Sequence, residues 1–233
     1  MSHRRPAFFA LILSLCFALA CESNPGMVHR AGRAAGEAEI DEALSRAAIG
    51  ALGEREGAVI VLDPQTGRVR ALVNPRLAFE QAFPPGSTVK PFTALAALRA
   101  GLLDADSRTL CRKHYTSGPF TIACSHPKSD ASFNLVQALA YSCNYYFATM
   151  SERLNESAWN ATLTSFGFGE PTGINSPGES AGKLERGGEW GPQVSLGEGD
   201  HLLVTPIQLL TAYSALVNGG RLLRPQLGAA GAV

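Results

Sequence analysis

The stretch PPGSTVKPF, residues 84–92, decides how this chain is interpreted. Gly86 ends a loop, and residues 93–100 (TALAALRA) are strong helix formers that stop at Gly101. Ser87 and Lys90 are three residues apart, a spacing that places two side chains on one face of a helix. The sequence therefore predicts a hydroxyl and an amine side by side near a helix N-terminus.

That position suits a nucleophilic serine. The unpaired N–H groups and the positive end of the helix dipole favour negative charge on a serine or substrate oxygen. Burial against apolar neighbours such as Phe92, together with the dipole, is expected to lower the pKa of Lys90, so that a neutral amine can act as a base for Ser87. The alternative is that Ser87 only caps the helix and Lys90 is a solvated side chain, which is the commoner meaning of an isolated S-x-x-K pair.

A second motif, Ser142-Cys143-Asn144, lies between two apolar helical stretches. The order S-x-x-K then S-x-N resembles the first two motifs of the penicillin-binding protein and serine β-lactamase superfamily, whose third motif is K-T-G. Residues 58–73 resemble the opening hairpin of that family, and residues 205–220 resemble the helix that precedes K-T-G. From about residue 40 onward, the chain is identified as a member of the penicillin-binding transpeptidase domains, most similar to the class B type.

The resemblance implies an α/β fold of the α+β type, with an antiparallel sheet, flanking helices and an all-helical subregion. Apolar residues at helical spacing over 40–52 predict a first helix, and the turn at 63–67 predicts a hairpin. Thr205, Pro206 and Gln208 have the pattern of an N-cap, N1 and N3 set. Residues 102–133 and 167–199 are predicted to be mostly loop.

The third motif of the family is not present in this sequence, because no K-[ST]-G occurs between Asn144 and Val233. The expectation is a partial domain over 39–233 with its C-terminal strands missing. Carboxylate recognition and one donor of the oxyanion hole would then be lost, at a cost of about 3 kcal/mol per donor in transition-state stabilisation. An interrupted gene, a remnant completed by another chain and a catalytically inactive binding protein all remain open.

The resemblance implies acyl transfer at the D-Ala-D-Ala end of a peptidoglycan stem peptide, with β-lactams as inhibitors and no cofactor. Ser87 would be the nucleophile and Lys90 its base. Ser142 would relay a proton to the leaving amine, and Asn144 would bind the substrate amide and orient Lys90. A catalytically inactive envelope protein of this fold and a class D-like β-lactamase or sensor are the alternative functions, although Asn144 stands where class D enzymes usually have a hydrophobic residue.

The N-terminus indicates export. Basic residues at 3–5 precede an apolar run over 7–20, which predicts a signal peptide or membrane anchor at residues 1–21, followed by a linker over 22–38. Cys21 follows a small-x-small site and resembles a bacterial lipoprotein attachment cysteine. Lipidation at Cys21, an uncleaved anchor and release by cleavage all remain open, and each places the domain on the periplasmic side of the inner membrane. A peptidoglycan glycosyltransferase is a partner implied by the class B likeness.

Composition excludes one class of partner and leaves one question about the cysteines. The formal net charge is +0, which gives no support for nucleic-acid binding. Cys111 and Cys124 lie where class B relatives often have a cysteine pair, so a disulfide between them is the first prediction. A zinc site of Cys111, His114, Cys124 and His126 is the alternative, although Cys-x-His is a tight spacing for a tetrahedral site. Cys143 is expected to be a buried packing residue.

Overall fold

The computed structural model describes residues 41–104, 106–128 and 130–228. The predicted leader (1–21), the linker (22–38) and Cys21 lie outside these residues. No helix within the described ranges is long and apolar enough to cross a membrane. The helices are α1 Glu42–Leu52, α2 Pro75–Phe79, α3 Lys90–Arg99, α4 Leu135–Ala140, α5 Asn144–Ser151, α6 Glu156–Ser165, α7 Pro192–Ser195 and α8 Pro206–Val217, and a 3-10 turn at Gly86–Val89 leads into α3.

The strands form four antiparallel pairs among the described residues. They are β1 Val59–Leu62 with β2 Val69–Val73, β3 Thr109–Leu110 with β6 Ser132–Phe133, β4 His114–Ser117 with β5 Phe120–Ala123, and β7 Lys183–Leu184 with β8 Leu202–Leu203. The predicted hairpin is confirmed: Asp63 accepts hydrogen bonds from the N–H groups of Thr66 and Gly67, which closes the turn between β1 and β2. The first helix is also confirmed, and the carboxylate of Asp41 caps it.

Helix α3 lies at the centre of the main apolar core. Phe92 is fully buried, and its ring makes edge contacts at about 5 Å with Phe166, Phe168 and Tyr213. Two long-range hydrogen bonds also hold α3: Thr93 Oγ1 donates to Ser195 O at 2.7 Å and accepts from Trp159 Nε1 at 3.0 Å. The start of α3 is therefore fixed by packing on several sides.

Helix α8 is held against the turn that precedes α3. Thr205 and Gln208 form the predicted capping box, in which each side chain bonds the other residue's backbone N–H, with Pro206 at the first helical position. The hydroxyl of Tyr213 donates to Thr88 O at 2.8 Å. The 3-10 turn is thus anchored by α3, which continues directly from it, and by α8 through Tyr213.

Two predicted loop regions contain more structure than expected. Strands β3 to β6 lie within 102–133, and β7, α7 and the start of β8 occur in or just after 167–199. These elements are only two to four residues long, which is too short for a periodic pattern to be visible in the sequence. The pairs form because a distant partner satisfies their backbone groups, as β6 does for β3.

Candidate active site and a neighbouring thiol cluster

Ser87 lies in the 3-10 turn that leads into α3. Gly86 has a φ of 53°, a left-handed conformation that suits glycine, and its N–H donates to Gly197 O at 3.0 Å. The Ser87 side chain is exposed, and its backbone carbonyl accepts the N–H of Lys90. The turn therefore presents Ser87 to solvent while Lys90 points inward.

The amine of Lys90 is buried among three oxygen acceptors. Only 2% of this lysine is exposed, and its Nζ donates to Ser142 O at 2.8 Å, Ser142 Oγ at 3.0 Å and Asn144 Oδ1 at 2.5 Å. The ring of Phe147 lies 5.6 Å from the nitrogen. The structure thus brings together three of the four predicted site residues directly, and places Ser87 one turn before Lys90.

Burial lowers the pKa of Lys90 from 10.5 to about 8. Desolvation is the main cause, and the negative charge of Glu198 acts in the opposite direction. A pKa near 8 leaves a useful fraction of neutral amine at neutral pH. A neutral amine has two N–H groups for Ser142 O and Asn144 Oδ1, and a lone pair that can accept a hydroxyl proton.

A strained turn presents Ser142 to that amine. Ser142 has a φ of 49°, which is uncommon for a residue other than glycine. The N–H groups of Ser142 and Cys143 donate to Leu139 O and Ala138 O at the end of α4, and they hold the turn in this form. Asn144 then begins α5, and its Nδ2 donates to Ala123 O at 2.8 Å. One amide N–H of Asn144 is therefore engaged by the protein, whereas the sequence suggested it for substrate.

The segment 197–199 contacts the 3-10 turn that carries Ser87. The sequence contains no direct indication of this contact. Gly197 has a φ of 74°, and a Cβ built there would lie 2.6 Å from Gly86 O. Glu198 follows at the surface, and its charge raises the pKa of Lys90. The sequence Gly197-Glu198-Gly199 was the only visible signal, since glycines on both sides of a charged residue indicate a tight turn.

The predicted disulfide between Cys111 and Cys124 is not formed. Both residues, and Cys143, are free buried thiols, and the two sulfurs lie 3.7 Å apart, well beyond the ~2.05 Å of a disulfide bond. The thiols instead form a cluster with a fourth residue, His126. The donor atoms of these four buried side chains all lie within 4.8 Å of one another.

Three residues of the alternative zinc set, Cys111, Cys124 and His126, lie in this cluster, and the fourth does not. His114 is exposed on β4 and is not part of the cluster, whereas Cys143 is. The difference has a physical reason: the prediction combined neighbours along the chain, whereas the fourth member of the cluster comes from the Ser142-Cys143-Asn144 turn. Only one residue separates Cys124 from His126 in the sequence, and both side chains can reach the cluster because β5 ends at Ala123 and the chain then turns.

Burial raises the pKa of the Cys111 and Cys143 thiols. Desolvation is the largest cause for both, and backbone N–H groups lower the pKa of each in part. Without a cation, such thiols are protonated at neutral pH and behave as small apolar groups.

Comparisons with known proteins identify a family for this chain. Residues 57–231 match the sequence profile described as penicillin binding protein transpeptidase domain. The chain is similar to "Peptidoglycan D,D-transpeptidase MrdA" of Acinetobacter baumannii, at 28% identity over 81% of this chain and 34% of the relative. It is 31% identical to "Stage V sporulation protein D" of Bacillus subtilis over 67% of this chain and 25% of that protein.

Solved structures show the same likeness. Pseudomonas aeruginosa PBP2 in complex with WCK 5153 has a TM-score of 0.73 at 28% identity, covering 82% of this chain and 53% of that one. The transpeptidase domain of Burkholderia pseudomallei penicillin-binding protein 3 has a TM-score of 0.69 at 24% identity, over 81% and 60% of the two chains. The chain thus spans about a third of the length of the first curated relative and a quarter of the second.

Proposed function

Since the chain belongs to the penicillin-binding protein transpeptidase domain family, we propose that it is a D,D-transpeptidase that crosslinks peptidoglycan stem peptides through an acyl-enzyme on Ser87. The observation that carries the proposal is the buried Lys90 amine, 3.0 Å from the Ser142 hydroxyl and one turn from Ser87. An amine so placed, with a pKa near 8, can exchange protons with both hydroxyls.

Acylation requires one bond to form and one to break. Neutral Lys90 takes the proton of Ser87 Oγ as that oxygen attacks the carbonyl of the penultimate D-Ala, and an ester forms. The peptide C–N bond then breaks, and Ser142, hydrogen-bonded to Lys90, passes a proton to the departing amine. The backbone N–H of Ser87 lies in the first turn, where it can donate to the oxygen that becomes negative.

Transfer to the acceptor reverses these proton movements. The amine of a neighbouring stem peptide attacks the ester carbonyl, loses a proton through Ser142 and Lys90, and displaces Ser87 Oγ, which recovers its own proton. Asn144 Oδ1 holds Lys90 in place through both steps, since it accepts from Nζ at 2.5 Å. Exposure of Ser87 gives both substrates access.

The same serine would be acylated by β-lactams, in which the broken bond is the lactam C–N bond. We place the domain in the cell envelope, on the periplasmic side of the inner membrane, because stem peptides are found there. Attachment through the N-terminal segment, with lipidation at Cys21 as one form, and work beside a glycosyltransferase are parts of this proposal.

The test is covalent labelling by a fluorescent penicillin. The wild-type chain should form a labelled band, Ser87→Ala should form none, and Ser157→Ala, at an exposed serine of α6, should label as wild type. An unlabelled wild-type chain that is folded by circular dichroism would overturn the proposal and favour a non-catalytic binding protein. Rapid loss of the label with hydrolysis of excess drug would instead indicate a β-lactamase.

A further inference from the structure

We propose that Cys111, Cys124, His126 and Cys143 bind a structural zinc ion directly behind the S-x-N turn. The four donors come from three separate parts of the chain, and all are buried. Nothing in the acyl-transfer chemistry uses them. They nevertheless converge on the turn that carries Ser142 and Asn144, because Cys143 lies between those two residues.

Three of the six separations between the donor atoms match the edges of a tetrahedron around zinc. With Zn–S bonds of about 2.3 Å and Zn–N bonds of about 2.0–2.1 Å, tetrahedral geometry requires S···S edges near 3.8 Å and S···N edges near 3.6 Å. The measured separations are 3.7 Å for Cys111 to Cys124, 3.8 Å for Cys124 to Cys143 and 3.6 Å for Cys111 Sγ to His126 Nε2. The remaining donor atoms are also within 4.8 Å of one another.

The imidazole is oriented as a metal ligand. His126 Nδ1 lies 2.8 Å from Pro127 O, and a carbonyl can only accept, so Nδ1 carries the proton. The lone pair of Nε2 then faces the sulfurs. Rings of Phe133 and Tyr141 pack against the imidazole at 5.2 and 5.9 Å and fix its plane. A backbone carbonyl on the second nitrogen is the usual outer partner of a zinc-bound histidine.

Each of the three sulfurs accepts a backbone N–H. The donors are Lys113 to Cys111 at 3.3 Å, Tyr145 to Cys124 at 3.3 Å and Tyr146 to Cys143 at 3.4 Å. Such bonds favour the thiolate over the thiol. Zinc with three thiolates and a neutral imidazole has a net charge of −1, and the Lys113 ammonium donates to the carbonyls of Cys124 and His126 beside it. The surroundings therefore match the charge of the loaded site.

Four protein donors leave no open position, so the ion would hold structure and do no chemistry of its own. Soft thiolates with one imidazole in a tetrahedron select zinc over magnesium or calcium. Binding exchanges three thiol protons for the ion. It would tie β3, the end of β5 and the S-x-N turn together, and Cys143 would become a positioning residue for Ser142 and Asn144.

The first test is metal content and ligand type. We expect the full chain, purified from cells grown with zinc, to retain one zinc ion per chain after dialysis. Replacement by cobalt should give thiolate charge-transfer absorption and the intense visible bands of a tetrahedral site. A chain free of zinc after loading, or peptide mass spectra showing a Cys111–Cys124 disulfide, would overturn the proposal.

Paired variants separate ligation from mere proximity. Cys124→Ser should weaken zinc binding beyond the ~10–100-fold that loss of an outer-shell partner causes. His114→Ala, which changes the exposed histidine outside the cluster, should bind as wild type. Equal losses in both variants would contradict the assignment. If Cys124→Ser does not fold, alkylation of wild type decides: peptides of all three cysteines should be protected with zinc and modified after chelation, and unchanged modification would refute the site.

A positioning role for the ion rests on the proposed acyl transfer, and the readouts keep the two apart. Zinc content and cobalt spectra should be the same in Ser87→Ala as in wild type, whatever the labelling shows. If the chain labels with penicillin and holds no zinc, this inference fails alone. If it holds zinc and does not label, the proposed function fails alone. Where both stand, removal of zinc should lower the labelling rate, and readdition should restore it.

Discussion

Two buried polar clusters meet at the Ser142-Cys143-Asn144 turn, and they are completed in different ways. On one side, the Lys90 amine has three oxygen acceptors within hydrogen-bond distance, all supplied by the protein. On the other side, three sulfurs and an imidazole nitrogen lie within 4.8 Å of one another and have mainly each other as neighbouring polar side-chain atoms. One short turn therefore contributes Ser142 and Asn144 to the first cluster, and Cys143, which lies between them, to the second.

The largest effect should come from breaking the first cluster at its centre. Lys90→Met keeps the volume and apolar stem of the side chain but removes the base, so penicillin labelling should slow by ~10²–10⁴-fold. The rate of labelled-band formation measures it. Lys128→Met, at an exposed lysine, is the matched control and should label as wild type. Equal rates for the two variants would show that Lys90 is not the base.

The second prediction concerns pH. Because the neutral amine is the active form, labelling should rise about tenfold per pH unit below the pKa and level off above about pH 8. Stability should follow the same group: between pH 8 and 10.5 the unfolded chain binds the proton and the folded chain does not, so the free energy of unfolding increases with pH there. Denaturant titrations of wild type against Lys90→Met isolate this slope, and parallel curves would contradict it.

The third prediction tests the contact that supports the nucleophile turn. In Gly197→Ala, the new Cβ would lie 2.6 Å from Gly86 O at a φ of 74°, so unfolding should become easier by ~1–3 kcal/mol and labelling should fall. Gly118→Ala has a similar φ of 57° with open space around it, and should cost less and leave labelling unchanged. Thermal and urea unfolding of both variants measure the difference.

The smallest expected effect concerns the second cluster, the three thiols with His126. Lys113→Met removes the ammonium beside the three thiolates, and zinc affinity should fall by ~10-fold, as for loss of an outer-shell partner. Competition with a chromophoric chelator measures the affinity, with Lys128→Met as the control. Tighter binding in Lys113→Met would show that this lysine does not balance the charge of the site.

The first cluster was within reach of sequence reasoning, and the second was only partly so. S-x-x-K and S-x-N are short motifs whose chemistry depends on local spacing, and the hairpin, α1 and the capping box of α8 are equally local. The thiol cluster depends on where β3 and β5 bring Cys111 and Cys124 relative to α5. Two-residue strands such as β3 have no pattern that could reveal this, so the predicted set contained the exposed His114 and did not contain Cys143.

Gly197 is a second position whose role could not be predicted from the sequence alone. Its neighbours predicted a turn, but only the fold shows that the turn contacts Gly86 closely enough to exclude a side chain. Likewise, Asn144 was expected to bind substrate through its amide, and the observed bond to Ala123 O became visible only once β5 was placed beside α5. A single sequence does not reveal which distant segments of the chain approach each other closely.

The hydrogen bonds that anchor the 3-10 turn carrying Ser87 also determine when this turn can be completed during protein synthesis. Thr93 finds its acceptor 102 residues later, and Thr88 receives its donor 125 residues later. Both partners, Ser195 and Tyr213, are therefore synthesised long after the turn that carries Ser87. A nascent chain that has not yet reached Tyr213 therefore contains the serine but lacks both of these anchoring hydrogen bonds.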